Sequence, residues 1–259
     1  MTSRHDTILA FAARRSPRYT SYPTAPQFHA GVDAATYEGW LEALDPRAPV
    51  SLYLHVPYCR TLCWYCGCNT RATTRPEPVA AYFETLLREL SLVADRLPGR
   101  MQVSHLALGG GTPAVLSPAQ IGRLMAAVRA RFDLMAEAEI SIEIDPRHFT
   151  KDDAAGLARE GFTRASTGVQ SFDPAVQAAI NRVQPFEVVE AAFNRLREAG
   201  VTKINADLLY GLPKQDVASA RASAEAAAAL SPDRLAVFGY AHVPHFKAHQ
   251  NLIRTEDLP

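Results

Sequence analysis

The sequence predicts an α/β fold, an incomplete barrel of six strand–helix units, on three observations. Short apolar runs alternate with amphipathic helical stretches six times, which favours parallel strands joined by right-handed crossovers. Capping residues and glycines mark the helix ends. Polar motifs fall within or just after the strands, where barrels of this kind collect their chemistry. At 259 residues and 47% hydrophobic, the chain can bury one such core, and no Pro/Gly/Ser-rich linker divides it.

Residues 1–50 read as an N-terminal arm. It comprises a short helical piece at 7–13, an irregular proline-punctuated loop at 17–26 and a helix at 34–44. Strands are expected at 51–56, 105–108, 139–144, 163–169, 203–209 and 234–240, each a short apolar run followed by a polar turn and an amphipathic helix. Val79, Tyr82, Phe83, Leu86, Leu90 and Val93 form one apolar helical stripe. Ser117-Pro118-Ala119-Gln120 supplies an N-cap, a proline at the first helical position and a capping-box partner. Thr150, Asp173 and Asp216 are further N-caps, and Gly161 and Gly200 sit where helices should turn back. The alanine-rich run at 219–229 reads as a plain outer helix.

Lysine plus arginine and aspartate plus glutamate balance at 27 each, which disfavours nucleic acid or an anionic membrane surface as a global partner. Arg4, Arg14, Arg15 and Arg18 face a single acid, Asp6, so the arm is a candidate clamp for an anionic ligand, the alternative being a solvated terminus. Residues 8–13 are too short for a signal-peptide core, and no stretch has the length of a membrane span. Unpaired cysteines without an export signal lead us to expect a cytoplasmic protein.

All four cysteines lie in one ten-residue stretch, Cys59-Arg60-Thr61-Leu62-Cys63-Trp64-Tyr65-Cys66-Gly67-Cys68. Such close neighbours make poor disulfides, and a shared metal explains them better. Zinc could take four thiolates, although it usually draws on two separated pairs. The Cys59-x3-Cys63-x2-Cys66 spacing suits three thiolates on three corners of a cubane iron–sulfur cluster, leaving one iron open to a substrate.

That triplet, preceded by Tyr53-Leu54-His55-Val56-Pro57, resembles the radical S-adenosylmethionine (SAM) enzymes, and within them the oxygen-independent coproporphyrinogen III dehydrogenase family. The resemblance also rests on Arg18-Tyr19-Thr20-Ser21-Tyr22-Pro23-Thr24, Gly109-Gly110-Gly111-Thr112-Pro113, Glu143-Ile144-Asp145-Pro146-Arg147, Gly168-Val169-Gln170-Ser171-Phe172, Asn181-Arg182, Asp207-Leu208-Leu209-Tyr210-Gly211-Leu212-Pro213 and Tyr240-Ala241-His242. It implies a partial radical-SAM barrel over residues 51–259, with residues 1–50 as a substrate-contacting arm. A further, largely helical C-terminal domain of the family is expected to be missing, since 245–253 reads like the start of a helix leading onward. The chain is therefore expected to be a fragment.

The same resemblance implies a [4Fe–4S] cluster on Cys59, Cys63 and Cys66, and two SAM molecules. Tyr53, Gly110 and Glu143 match positions near the first SAM. Tyr65, Gly111, Thr112, Gln170, Arg182, Asp207 and Ala241 match positions near the second. Glu143 also shares a polar strand face with Glu139 and Ser141, opposite Ile140, Ile142 and Ile144, and Asn205 and Asp207 repeat that alternation. Cys68 is surplus to the triplet: a buried small hydrophobe, a fallback ligand or a candidate catalytic participant. Ala165 and Thr167 stand where the family prefers larger aliphatics, so the core there is expected to be loosely filled.

The implied activity is the oxidative decarboxylation of two propionates of coproporphyrinogen III to vinyl groups, begun by a deoxyadenosyl radical, in porphyrin and haem biosynthesis. The implied partners are that substrate and an electron donor such as a flavodoxin or ferredoxin, and a monomer is expected. Three readings compete with it: a haem-trafficking chaperone on the same scaffold, an inactive fragment that binds only cluster and SAM, and a plain zinc module. Cys68 and the 18–24 block favour the enzyme over the chaperone. A zinc module leaves the motifs at the other strand ends without a role.

Overall fold

The computed structural model describes Arg4 and residues 27–259, which divide into two compact units at the Glu42/Ala43 boundary. In the first unit, helix α1 (Ala34–Glu42) takes the place expected for 34–44 and buries none of its residues. Asp33 Oδ1 accepts the Thr36 N–H at 2.9 Å and so closes its first turn. The expected helical piece at 7–13, the 17–26 loop and Arg14, Arg15 and Arg18 lie outside the described residues.

The second unit is built on strands β1 (Val50–Val56), β4 (Gln102–Gly110), β5 (Asp133–Ile144), β6 (Arg164–Gln170), β7 (Lys203–Tyr210) and β8 (Arg234–Gly239). All pair in parallel, in the order β1-β4-β5-β6-β7-β8. Sequence order equals spatial order, so each strand–helix unit adds one neighbour and the sheet curls without closing. The connecting helices are α2 (Pro76–Ala94), α3 (Pro118–Arg131), α4 (Lys151–Arg159), α5 (Pro174–Ala179), α6 (Phe186–Ala199) and α7 (Val217–Ala229). Helix α2 packs on α3, α3 on α4 and α4 on α6.

Strand alternation sorts the side chains. Ala165, Thr167 and Val169 of β6 and Ile140, Ile142 and Ile144 of β5 are buried in the core shared with the helices. The other face carries Glu139, Ser141, Glu143, Arg164, Ser166, Asp207 and Arg234, which line a cavity of about 400 Å³. The core is thus an outer shell of apolar packing, with Phe83, Phe132, Phe193, Leu106 and Leu124 fully buried. Truncating one such aromatic to alanine would cost about 3–5 kcal/mol.

The helix ends follow the expected chemistry. Ser117 and Gln120, Thr150 and Asp153, and Asp216 and Ser219 form reciprocal capping boxes, and Asp173 accepts from Ala175 N and Val176 N. Gly200 ends α6 at φ +96°, a conformation that favours glycine. Helix α7 buries only Ser223 and Ala227.

Three features differ from expectation. Strand β5 starts at Asp133 rather than near 139, because Asp133–Glu137 has helix-prone residues but pairs with Gln102 and Val103 past an irregularity in register. A short parallel pair, β2 (Tyr58–Cys59) with β3 (Arg71–Ala72), flanks the cysteine stretch and is too short to show a period. The stretch expected to start an outgoing helix contains a 3₁₀ turn, Ala248–Leu252, with Gln250 fully buried. Among the described residues no helix is long and apolar enough to cross a membrane.

Candidate functional site

The cysteine loop leaves the C-terminal end of β1 and is tied down on three sides. At its base, Arg71 N donates to Pro57 O and Thr73 N to Cys59 O, each at 2.8 Å, the β2–β3 pairing. On one flank Trp64 N donates to Ile180 O and Asn181 Nδ2 to Leu62 O, both at 2.9 Å. Asn181 reaches this position at φ +54°, a strained setting for a residue with a side chain. On the opposite flank Gln250 Nε2 donates to Tyr65 O at 2.9 Å and Lys247 Nζ to Cys68 O at 2.9 Å, while His249 Nε2 meets Cys66 O at 2.8 Å.

Within the loop Cys63 is buried, Cys59 and Cys66 are half-buried and Cys68 is exposed. The reading of Cys68 as a buried small hydrophobe does not hold, because the residue is exposed; its backbone N–H donates to Cys66 Sγ at 3.4 Å. A second hydrogen bond, between the two thiols themselves, makes one of them easier to ionise. It lowers Cys68 to about 7, opposed by partial desolvation of the sulfur against the loop and helped by the Lys247 charge, while the same thiol–thiol bond and burial push Cys66 up. Burial also raises Cys59, against the hydrogen bond with Thr70 Oγ1 at 3.4 Å.

Cys63 faces cations. Arg182 Nη1 lies 3.3 Å and Arg147 Nη2 3.5 Å from its sulfur. Asp145 holds both guanidinium groups, Arg147 at 2.6 Å and Arg182 at 3.5 Å. Burial works against the Asp145 charge, but Arg182 and Arg147 outweigh it and pull the carboxyl down to about 2. Among the described residues no three His, Cys, Asp or Glu side chains converge as a single metal ion requires. A cubane spreads its thiolates over separate irons and does not require that convergence.

The Gly109-Gly110-Gly111-Thr112 turn at the end of β4 stands beside the loop. Gly111 N donates to Val56 O at 2.9 Å and Thr112 N to Tyr58 O at 2.8 Å. A side chain at Gly111 would run into the Tyr58 carbonyl, and Gly110 sits at φ +118°, so this turn is a fitted one and not a mobile glycine run. Thr112 Oγ1 accepts from Asp145 N at 3.1 Å, which links the turn to the arginine pair.

Glu143 Oε2 accepts the Gly110 N–H at 3.0 Å. A Cβ added at Gly109 would touch both Glu143 and the Tyr53 ring, so these three candidates adjoin. Glu143 is reached by water through the open cavity, yet the protein walls around it partly desolvate its carboxylate. That desolvation raises its pKa, against the Gly110 N–H and with the help of Asp207. Tyr53 hydrogen-bonds His55 Nδ1 through its hydroxyl at 3.1 Å, and burial followed by the Glu143 charge raises the phenol.

Farther around the barrel, Gln170 ends β6 at φ +68°, another strained position. Its side chain and that of Arg182 fill the space where a Cβ at Gly168 would be, and Arg182 Nη2 donates to Gly168 O at 2.7 Å. Asp207 lies inside the barrel on β7, accepting from Ser166 Oγ at 2.8 Å and Asn205 Nδ2 at 2.6 Å. Burial raises its pKa against those two hydrogen bonds. Burial also raises Tyr65 well above the usual phenol value. Ala241 follows β8, and its carbonyl accepts from Gln250 Nε2 at 3.3 Å.

Sequence reasoning missed Arg147 beside Cys63, although its block was recognised, and missed Lys247, His249 and Gln250 altogether. A polar cluster 179 to 185 residues from the loop it grips leaves no local pattern.

The Radical SAM superfamily profile matches residues 53–226. The chain is 50% identical over 256 residues to an oxygen-independent coproporphyrinogen III oxidase of Bradyrhizobium diazoefficiens, covering 99% of this chain and 57% of that protein. It is 45% identical over 245 residues to the enzyme of that name in Escherichia coli K12, covering 94% of this chain and 53% of that protein. The solved coproporphyrinogen III oxidase (HemN) from Escherichia coli, described as a radical SAM enzyme, superposes with a TM-score of 0.89 at 42% identity, over 97% of this chain and 56% of that one. The chain spans little more than half the length of these relatives. With well over half its length inside the profile, it belongs to the radical SAM superfamily, whose [4Fe–4S] cluster and SAM are its implied cofactors.

Proposed function

We propose that this chain carries the catalytic barrel of an oxygen-independent coproporphyrinogen III oxidase, converting two propionates of coproporphyrinogen III to vinyl groups. The observation that carries the reading is the trio Cys59, Cys63 and Cys66 on one braced loop, beside the Gly109–Thr112 turn and the Glu143 carboxylate. The thiol set fits the implied cluster: three soft donors whose x3 and x2 sequence spacing suits a cubane, one of them facing two buried cations that suit an anionic group. The relatives' names support the substrate.

The cluster, when bound, would supply one-electron reducing chemistry toward SAM. The chain's residues hold and orient. Cys59, Cys63 and Cys66 hold the cluster. Glu143, as a carboxylate, accepts hydrogen bonds from ribose hydroxyls or an ammonium group, with Gly110 and Tyr53 beside it, and these form the first SAM site. Tyr65, Gly111, Thr112, Gln170, Arg182, Asp207 and Ala241 form a second. Cys68, exposed beside Cys66, is kept as a candidate catalytic participant. Residues 51–259 form the catalytic barrel, residues 1–50 contact substrate carboxylates through Arg14, Arg15 and Arg18, and an electron donor of the flavodoxin or ferredoxin kind reduces the cluster.

The test is anaerobic incubation of the reconstituted protein with dithionite, SAM and coproporphyrinogen III, quantifying deoxyadenosine and vinyl-bearing product in the same sample. The reading expects both, in fixed proportion. Deoxyadenosine formation indifferent to the porphyrinogen, with no vinyl product, would reject turnover of that substrate by this chain and favour the fragment that binds only cluster and SAM.

A further inference from the structure

Two buried cations share one buried anion next to Cys63. The side chains of Arg147, Arg182 and Asp145 are 11%, 7% and 8% exposed. Asp145 receives Arg147 through Nε (2.9 and 3.1 Å) and Nη2 (2.6 Å), and it stands 3.5 Å from Arg182. One positive charge is left over, and burying an uncompensated charge is costly. Both guanidinium groups turn an N–H toward the same atom, Cys63 Sγ, at 3.3 and 3.5 Å. Arg182 Nε remains buried without a partner. An anionic group at Cys63 would supply the missing charge.

We propose that Arg147 and Arg182, balanced by Asp145, are positioning residues that raise the reduction potential of the cluster held through Cys63. This rests on the cluster reading above. A cubane on three thiolates carries one net negative charge when oxidised and two after one electron is added. Dithionite, or the physiological donor, supplies that electron, and no bond to protein is made or broken. A fixed positive charge donating hydrogen bonds to a ligand sulfur stabilises the more negative form by more, so reduction becomes easier. Asp145 opposes the arginines, and the trio therefore sets the potential from both sides. Arg147 is the discriminating member, because the proposed SAM sites leave it without a role.

The experiment is an anaerobic redox titration of the reconstituted protein without SAM, following the reduced cluster by electron paramagnetic resonance. Iron and sulfide are counted in the same samples. Arg147→Met should shift the midpoint to more negative potential and Asp145→Asn to more positive, with Arg147→Lys lying nearer the parent than Arg147→Met. A purely structural role does not produce shifts of opposite sign. If Arg147→Met fails to hold a cluster, the sign of the Asp145→Asn shift decides. Unmoved potentials, or both variants moving the same way with iron at the parent level, would overturn the proposal. A parent chain that binds no cluster would overturn the reading beneath it as well.

Discussion

Gln250 Nε2 donates to the carbonyl of Tyr65 at 2.9 Å, joining positions 185 residues apart, and does so from full burial. The same amide bonds Ala241 O at 3.3 Å, and its Oε1 accepts from Val243 N at 2.6 Å. A single side chain thus fastens the segment after β8 to the middle of the cysteine loop. Gln250→Leu keeps the bulk but leaves two carbonyls and one N–H unpaired, at a cost of about 1–3 kcal/mol. Amide exchange at 64–68 should accelerate, and iron should pass faster to a chelator. Unchanged exchange in the loop would show that the clamp is incidental.

The cysteines have unequal roles in this account. Replacing Cys59, Cys63 or Cys66 with alanine should abolish cluster assembly, whereas Cys68→Ala should leave iron content near the parent value. Iron and sulfide assays on four anaerobically reconstituted variants decide it. Normal iron in any of the first three would remove that residue from the ligand set.

Glu143 carries a pH signature. Its folded pKa is raised, so at pH values above the ordinary carboxylate range the folded state binds more proton than the unfolded chain, and ionising Glu143 costs stability there. Ligand donors favour the ionised form, so SAM affinity should strengthen as pH rises through the raised value. Glu143→Gln should flatten that profile and weaken SAM binding by about tenfold or more, the loss of a charged hydrogen-bond acceptor, while the apo protein melts no lower than the parent. Calorimetric titration of SAM across pH tests the first part. A profile in the variant as steep as the parent's would assign the titration elsewhere.

Thr167 is fully buried, and its Oγ1 has no hydrogen-bond partner. Thr167→Val keeps the shape and removes the unpaired hydroxyl, so it should stabilise the apo protein by about 1 kcal/mol in urea unfolding. A loss of stability would mean that the hydroxyl is satisfied in solution.

The barrel was legible because its signals are local. Ile140, Ile142 and Ile144 alternate with Glu139, Ser141 and Glu143 within one strand, and Ser117, Thr150, Asp173 and Asp216 announce their helices within four residues. The start of β5 was not, because Asp133–Glu137 has helix-prone composition and is extended only by pairing with β4. The cysteine spacing singled out its loop, but nothing near it in sequence pointed to Lys247, His249 and Gln250, which reach it through tertiary contact. Arg147 was visible as part of a motif, while its place beside Cys63 depends on where the end of β5 meets the loop.

The most direct measurement is deoxyadenosine formed per chain when the anaerobically reconstituted protein meets dithionite and SAM, with Cys63→Ala and Glu143→Gln run beside it. The account predicts deoxyadenosine from the parent, none from Cys63→Ala and a reduced rate from Glu143→Gln. A parent carrying a full complement of iron and sulfide that yields no deoxyadenosine, or a Cys63→Ala variant that yields as much as the parent, would contradict it.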